Sequence, residues 1–184
     1  MTDAIIDALL PLVPEMGWTR AALARAAGDP ATAESAFPRG PRDAIAAWSR
    51  LADRRMGEAA QAEDIAAQRV PARIRRVVEI RLEQAMPHKA ALRDALAILA
   101  LPWNAPLATC LTAETVSAMW YAAGDSSADF SWYTRRATLA AIYGTTLVYW
   151  LRDPSPDLAN SMKFLDRRLA DHGRLSKAMA RVSA

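Results

Sequence analysis

Residues 131–152 read SWYTRRATLAAIYGTTLVYWLR. Trp132, Leu139, Tyr143, Leu147 and Trp150 fall on one stripe of a helix that runs from about Ser131 to Arg152. A helix this long and apolar along one side must bury that side against something. No segment of the chain shows the two-residue alternation of a strand, so the partner layer has to be helical.

Working outward, the rest of the chain reads as helices too. Seven glycines and eleven prolines lie mostly between periodic segments. A first helix spans about Asp3 to Val13, with Ile5, Ala8, Leu9 and Leu12 inward and Pro14 and Gly17 closing it. Thr19 is placed to cap a short helix that Gly28 stops, and a second short one covers about Ala31 to Phe37. Together they form a helix, a tight turn and a helix. Arg42 to about Ala62 is a longer amphipathic helix carrying Ile45, Trp48, Leu51, Ala52 and Met56. After Pro71, Ile74, Val77, Val78, Ile80, Arg81 and Leu82 share a helical register that Pro87 ends, and Ala90 to Leu101 continues as an apolar helix. LPWNAP is a turn, Pro106 suits a helix start, Thr112 is a candidate cap, and Gly124 terminates the run before the long helix. The last helix is expected from Ser155-Pro156-Asp157 to Gly173, with Leu158, Met162, Leu165 and Leu169 inside. The tail RLSKAMARVSA then forms a short basic amphipathic segment.

At 184 residues, 52% hydrophobic and 23% charged, the chain suits one domain with a substantial core. A formal net charge of +3 is too small to argue for nucleic acid by itself. The single cysteine, Cys110, excludes an internal disulfide and fits a reducing compartment; set in LATCLT, it reads as a small buried hydrophobe. No signal peptide is expected at the start of the chain, and charges or prolines break every apolar stretch short of a membrane span.

Chemistry is sparse. His88 and His172 lack partners at zinc spacing, and the chain holds no nucleophile elbow, dinucleotide fingerprint or phosphate loop. An enzyme is therefore not expected. The helix-turn-helix raises a ligand-responsive, DNA-binding regulator of the TetR type. Its second helix, ATAESAF, offers no Arg, Lys, Asn or Gln to bond base edges or phosphates, while Asp29 and Glu34 would face a polyanion. A structural role for this unit is the better reading, with no nucleic acid as partner.

The stretch GDSSADFSWYTRRATLAAIYGTT resembles the Coq-nine family of ubiquinone-biosynthesis accessory proteins. RIRRVVEIRLEQ, LALPWN, SAMWYAAGD and DPSPDLANSMKFLDRRL extend the likeness over about Gly17 to Leu169. Ala128 stands where the family pattern has Thr, and Ser131 where it has Asn; the first change removes a hydroxyl suited to capping the long helix. The resemblance implies an all-α, TetR-like helical bundle with a vestigial N-terminal helix-turn-helix. It implies a non-catalytic protein without cofactor that binds an isoprenoid quinone intermediate and presents it to the demethoxyubiquinone hydroxylase. On this view residues 1–184 form one domain: 1–66 resemble a helix-turn-helix part, 70–171 carry lipid binding and homodimerisation, and 174–184 are the tail, which meets a membrane surface. Cytoplasmic placement, peripheral to the inner membrane, is implied, or the mitochondrial matrix for a processed eukaryotic chain.

Residue by residue, the resemblance implies that Met119, Asp129, Trp132 and Tyr133 meet the hydroxylase, and that Trp120, Leu139, Tyr143, Leu147 and Trp150 line the lipid cavity. By their own chemistry these aliphatic and aromatic residues equally suit a filled core, and Trp132 with Tyr133 equally suits a core corner. Arg136 shares the sector of Trp132 and Tyr143 and needs a carboxylate or carbonyls; Asp129, Asp153 and Asp166 are candidates. Arg167 and Arg168 are expected to tie the last helix to its neighbour.

Overall fold

Helix boundaries follow local chemistry in the computed structural model, which describes residues 1–63, 65–124 and 131–182, and at 131, 132 and 175–182 the backbone alone. Helix α1 (Thr2–Leu9) runs through a 3-10 turn into α2 (Val13–Met16). Pro14 does not close the first helix. It occupies the first turn of α2, where a missing N–H leaves no bond unmade, and Gly17 at φ 65° ends the rod instead. Ile6, Leu10 and Val13 join Ile5 and Leu9 inside, while Ala8 stays exposed.

Helices α3 (Arg20–Ala27) and α4 (Pro30–Ala36) form the helix-turn-helix. Thr19 Oγ1 accepts from the Ala22 N–H at 3.1 Å, Gly28 turns the chain at φ 89°, and Asp29 Oδ1 accepts from the Thr32 N–H at 2.9 Å. Each cap takes up N–H groups that the helix itself leaves unbonded.

The longer helices are α5 (Pro41–Ala62), α6 (Val70–Ala85), α7 (Lys89–Leu99), α8 (Ala105–Ala122), α9 (Ser131–Arg152) and α10 (Ala159–Val182). No strand occurs among the described residues. The described residues form two cores. The first gathers Ile6, Leu9, Val13, Leu23 and Phe37 of the N-terminal helices against Ile45 and Trp48 of α5 and Ala91 and Ala95 of α7. The second joins Met56 of α5, Val77, Val78 and Leu82 of α6, Val116 and Met119 of α8, Leu139 and Trp150 of α9 and Leu165 of α10. Helix α5 passes through both and links them.

Cations fasten the helices to each other. Arg54 and Arg55 bind Asp3 and Asp7 of α1 at 2.8 and 2.6 Å, Arg50 binds Glu114 of α8 at 2.8 Å, and Arg75 of α6 binds Asp166 of α10 at 2.7 Å. At the end of α9, Arg93 Nη2 donates to the Leu151 carbonyl at 2.9 Å and Lys89 Nζ to the Asp153 carbonyl at 2.7 Å. Positive groups from α7 thus meet the carbonyls that a helix C-terminus leaves open.

Four local expectations change. Thr112 is not a cap: it lies inside α8, and its hydroxyl donates to the Ala108 carbonyl at 2.8 Å, because Pro106 already starts the helix nearly two turns earlier. Helix α10 begins at Ala159 rather than Ser155; Asp157 Oδ1 accepts the Ala159 N–H at 3.0 Å and sets the start. Gly173 does not stop α10, since an exposed helix interior tolerates glycine at about 1 kcal/mol. Residues 174–182, expected as a separate tail, are therefore the last turns of α10, with 183–184 outside the described residues. Cys110 is exposed, not buried: it shares the outer edge of α8 with Glu114, one turn on, outside the core. Its thiol lies 3.3 Å from Glu114 Oε1, a contact that raises its pKa.

Candidate functional site

A cavity of about 300 Å³ opens between α5, α6, α7, α8 and α9. Its walls are Ile45 and Trp48 of α5, Leu92, Leu96 and Leu99 of α7, Leu111 of α8 and Leu147 of α9. The volume sits at the lower end of the ~300–1,000 Å³ usual for small-molecule sites. Ala100 and Thr112 on its rim are exposed, while Ile45, Ala95 and Leu111 deeper in are buried, so the mouth lies between the end of α7 and the first turns of α8.

The inner wall is polar. Arg81, in the apolar register of α6, is 7% exposed and its Nε donates to Asp53 Oδ1 at 3.2 Å. The Thr115 hydroxyl donates to the other oxygen, Asp53 Oδ2, at 2.9 Å. Burial raises the pKa of the Asp53 carboxyl, against the opposing pull of the Arg81 charge and these hydrogen bonds. Tyr143 closes this end; burial raises its phenol, and the charge of Arg81 opposes that shift. Asp53 itself borders a second, wider hollow of about 640 Å³, lined by Arg54, Glu58, Arg73 and Tyr121, while Arg81 and Thr115 line the first. The Asp53–Arg81 pair therefore stands as a partition between the two.

Of the five residues expected at a lipid cavity, Tyr143 and Leu147 line it. Leu139, Trp150 and Trp120 do not; they belong to the filled core, where Lys89 Nζ sits 5.0 Å from the Trp150 ring and the Arg135 guanidinium 5.8 Å from that of Trp120. The stripe is common to all of them, but the helix opposite changes along it. Helical spacing alone does not mark Arg81, Trp48, Leu96 and Leu99 as ligand contacts. The one legible signal was an arginine set inside an apolar register.

The second expected cluster is also rearranged. Tyr133 is 73% exposed at the start of α9. Met119 is fully buried, not at the surface: α8 turns it into the core, and Tyr121, about 200° further around the same helix, is 74% exposed instead. Asp129 and the side chain of Trp132 lie outside the described residues. Arg136 is buried, and its Nε donates to Ser117 Oγ at 3.3 Å. Two of the carboxylates expected for it act elsewhere, Asp166 with Arg75 and Asp153 as acceptor for the Ser155 N–H at 3.0 Å. Among the described residues, Arg167 and Arg168 reach the neighbouring helix indirectly. Both lie over Phe164, at 5.9 and 5.4 Å, and Phe164 stacks on Tyr149 of α9 at 4.6 Å.

The described residues hold no group of His, Cys, Asp and Glu suited to a metal ion. No single described helix is long and apolar enough to cross a membrane.

The fold is similar to a TetR transcriptional regulator from Nitrosomonas europaea, with a TM-score of 0.76 over 92% of this chain and 96% of that one; at 23% identity the likeness concerns the fold alone. Among curated proteins, the chain is 37% identical over 177 residues to the mitochondrial ubiquinone biosynthesis protein COQ9 of Rattus norvegicus, covering 91% of this chain and 57% of that protein. The Homo sapiens protein of the same name is likewise 37% identical, with 91% and 56% covered. That of Drosophila melanogaster is 34% identical, with 97% and 57% covered. The chain thus spans less than two thirds of the length of these relatives. The COQ9 family pattern itself matches residues 105–176, which run from the first turn of α8 through α9 into the last turns of α10. With that match on the helices that bound the cavity, and relatives aligned along nine tenths of its length, the chain belongs to the COQ9 family.

Proposed function

We propose that this protein serves ubiquinone biosynthesis as a non-catalytic lipid carrier: it shelters an isoprenoid quinone intermediate in the α5–α9 cavity and delivers it to the hydroxylase that acts on demethoxyubiquinone. The observation that carries this reading is the cavity itself, apolar along its walls and polar at its inner end, in a chain whose relatives are named for ubiquinone biosynthesis. Removing a prenyl chain from water into such walls yields roughly 25 cal/mol per Å² of apolar surface. The exposed aromatics Tyr121 and Tyr133, on either side of residues 125–130, form the surface offered to the hydroxylase. A homodimer and attachment at the inner face of a membrane, in mitochondria for relatives so named, complete the reading.

Regulation through DNA is the rival. Helix α4 presents Thr32, Glu34 and Ser35 where a reading helix needs cations and amides, and Asp29 is committed to its cap. Native mass spectrometry of the freshly purified protein tests both. Co-purifying isoprenoid quinones or their precursors are expected. Lipid-free protein that shifts its own upstream DNA sequence-selectively at physiological salt would overturn the proposal.

A further inference from the structure

Arginine has five N–H donors, and a buried guanidinium needs acceptors for them. Arg81 uses one: Nε bonds Asp53 Oδ1, and among the described residues no acceptor meets Nη1 or Nη2. Neither of these nitrogens is among the side-chain atoms that protein seals off completely. They open on the cavity that Arg81 lines. A purely structural ion pair would present both nitrogens of the fork to the carboxylate; here one Asp53 oxygen belongs to Thr115 instead.

The site is also neutral as a whole. Asp53 balances Arg81, so a carboxylate or phosphate head would carry an uncompensated charge into an apolar cavity, while a carbonyl or phenol oxygen would not. Tyr143 stands in the same wall, close enough to feel both charges, and among the described residues its hydroxyl has no hydrogen bond. The polar groups Arg81, Thr115 and Tyr143 lie on the cavity wall away from exposed Ala100. Thr115, which holds Asp53, is seven residues along α8 from Ala108, where that helix begins to line the cavity, a separation of roughly 10 Å along the helix axis.

Resting on the reading that the cavity holds a lipid, we infer that Arg81, assisted by Tyr143, is its headgroup anchor: the ligand enters head first, a neutral carbonyl or phenol oxygen accepts from the Arg81 Nη groups, and the prenyl tail points back to the mouth. Tail-first binding would leave those donors unsatisfied against hydrocarbon.

The experiment compares three ligands of matched carbon chain on the intact protein by displacement of a bound fluorescent lipid: a short-chain prenyl benzoquinone, the isoprenoid hydrocarbon without oxygen, and the prenyl carboxylate. The quinone is expected to bind about tenfold or more tightly than the hydrocarbon, the yield of one charge-assisted hydrogen bond, and more tightly than the carboxylate. Two paired replacements that remove the donors without stranding a buried charge, Arg81→Met with Asp53→Leu and Arg81→Leu with Asp53→Leu, should lose the quinone preference. Equal binding of quinone and hydrocarbon by the unaltered protein, tighter binding of the carboxylate, or a preference that survives in a folded variant would overturn the assignment. Failure of all three ligands to bind the unaltered protein would overturn the lipid-carrier reading and this inference with it. The comparisons on the unaltered protein decide the matter even if neither variant folds.

Discussion

Trp18 Nε1 donates to the Ala91 carbonyl at 3.0 Å, and the ring of Trp18 lies 5.5 Å from that of Trp48. One side chain thus fastens the helix-turn-helix to α7, one of the walls of the cavity. Trp18→Phe keeps the ring contact and leaves the buried carbonyl unpaired, so it should lower stability by about 1–2 kcal/mol. For a domain of this size that is a fall of roughly 2–8 °C in Tm, measurable by thermal denaturation followed by circular dichroism.

Half-buried His88 sits at the edge of Trp48, ring centroids 6.4 Å apart, and burial depresses its pKa from the ordinary 6.5 despite the nearby charge of Asp7. A base with a depressed pKa binds fewer protons folded than unfolded. Its contribution to stability is therefore complete above pH 6.5 and is lost as the pH falls through the folded value. Thermal midpoints should decline from about pH 6.5 downward, and His88→Gln should flatten the upper part of that decline. An unchanged slope would remove His88 from the account.

A cavity of about 300 Å³ holds only part of a long prenyl chain. Affinity should climb over the first few isoprene units and then level off, because later units stay outside. Titrations with quinones of increasing tail length check this. A gain continuing evenly through the longest tails would mean that the chain finds cover beyond the cavity.

No charged residue stands between Asp94 and Glu114, and the corner joining α7 to α8 exposes Leu101 and 68% of Trp103 beside the cavity mouth. Asn104 braces that corner from within by donating to the Ile98 carbonyl at 2.8 Å. An amphipathic indole on an uncharged corner suits a lipid headgroup layer. Trp103→Asp should cut binding to neutral phosphatidylcholine vesicles several-fold in a flotation assay, with ligand binding from detergent unchanged.

Replacing the exposed pair, Tyr121→Ala with Tyr133→Ala, should leave Tm within about 1 °C, since exposed side chains contribute little to stability. Capture of the purified hydroxylase in a pull-down should be lost. Met119→Ala is the contrasting change: it empties a buried site and should destabilise by about 2–5 kcal/mol, as a core residue does.

Local rules were enough for the helices. The caps at Thr19 and Asp29 and the turn at Gly28 depend on contacts within a few residues, and the apolar stripes of α5 and α6 show in their helical spacing, so residue type and position reveal them. Even the oddity of Arg81 in an apolar register was legible. The Coq-nine motifs pointed to the family on the same footing, as patterns in the chain itself. Which apolar faces close on each other and which leave a space was decided only by the tertiary structure. Leu139, Tyr143, Leu147 and Trp150 share one stripe, yet α7 stands off from the middle of it and the core fills both ends, so two of the four line a cavity and two do not. Met119 and Tyr121 show the same thing at the surface. Helical periodicity separates them by about 200°, but which of them turns inward depends on where α6 and α9 pack against α8, and side-chain burial is a property of that packing rather than of the helix that carries it.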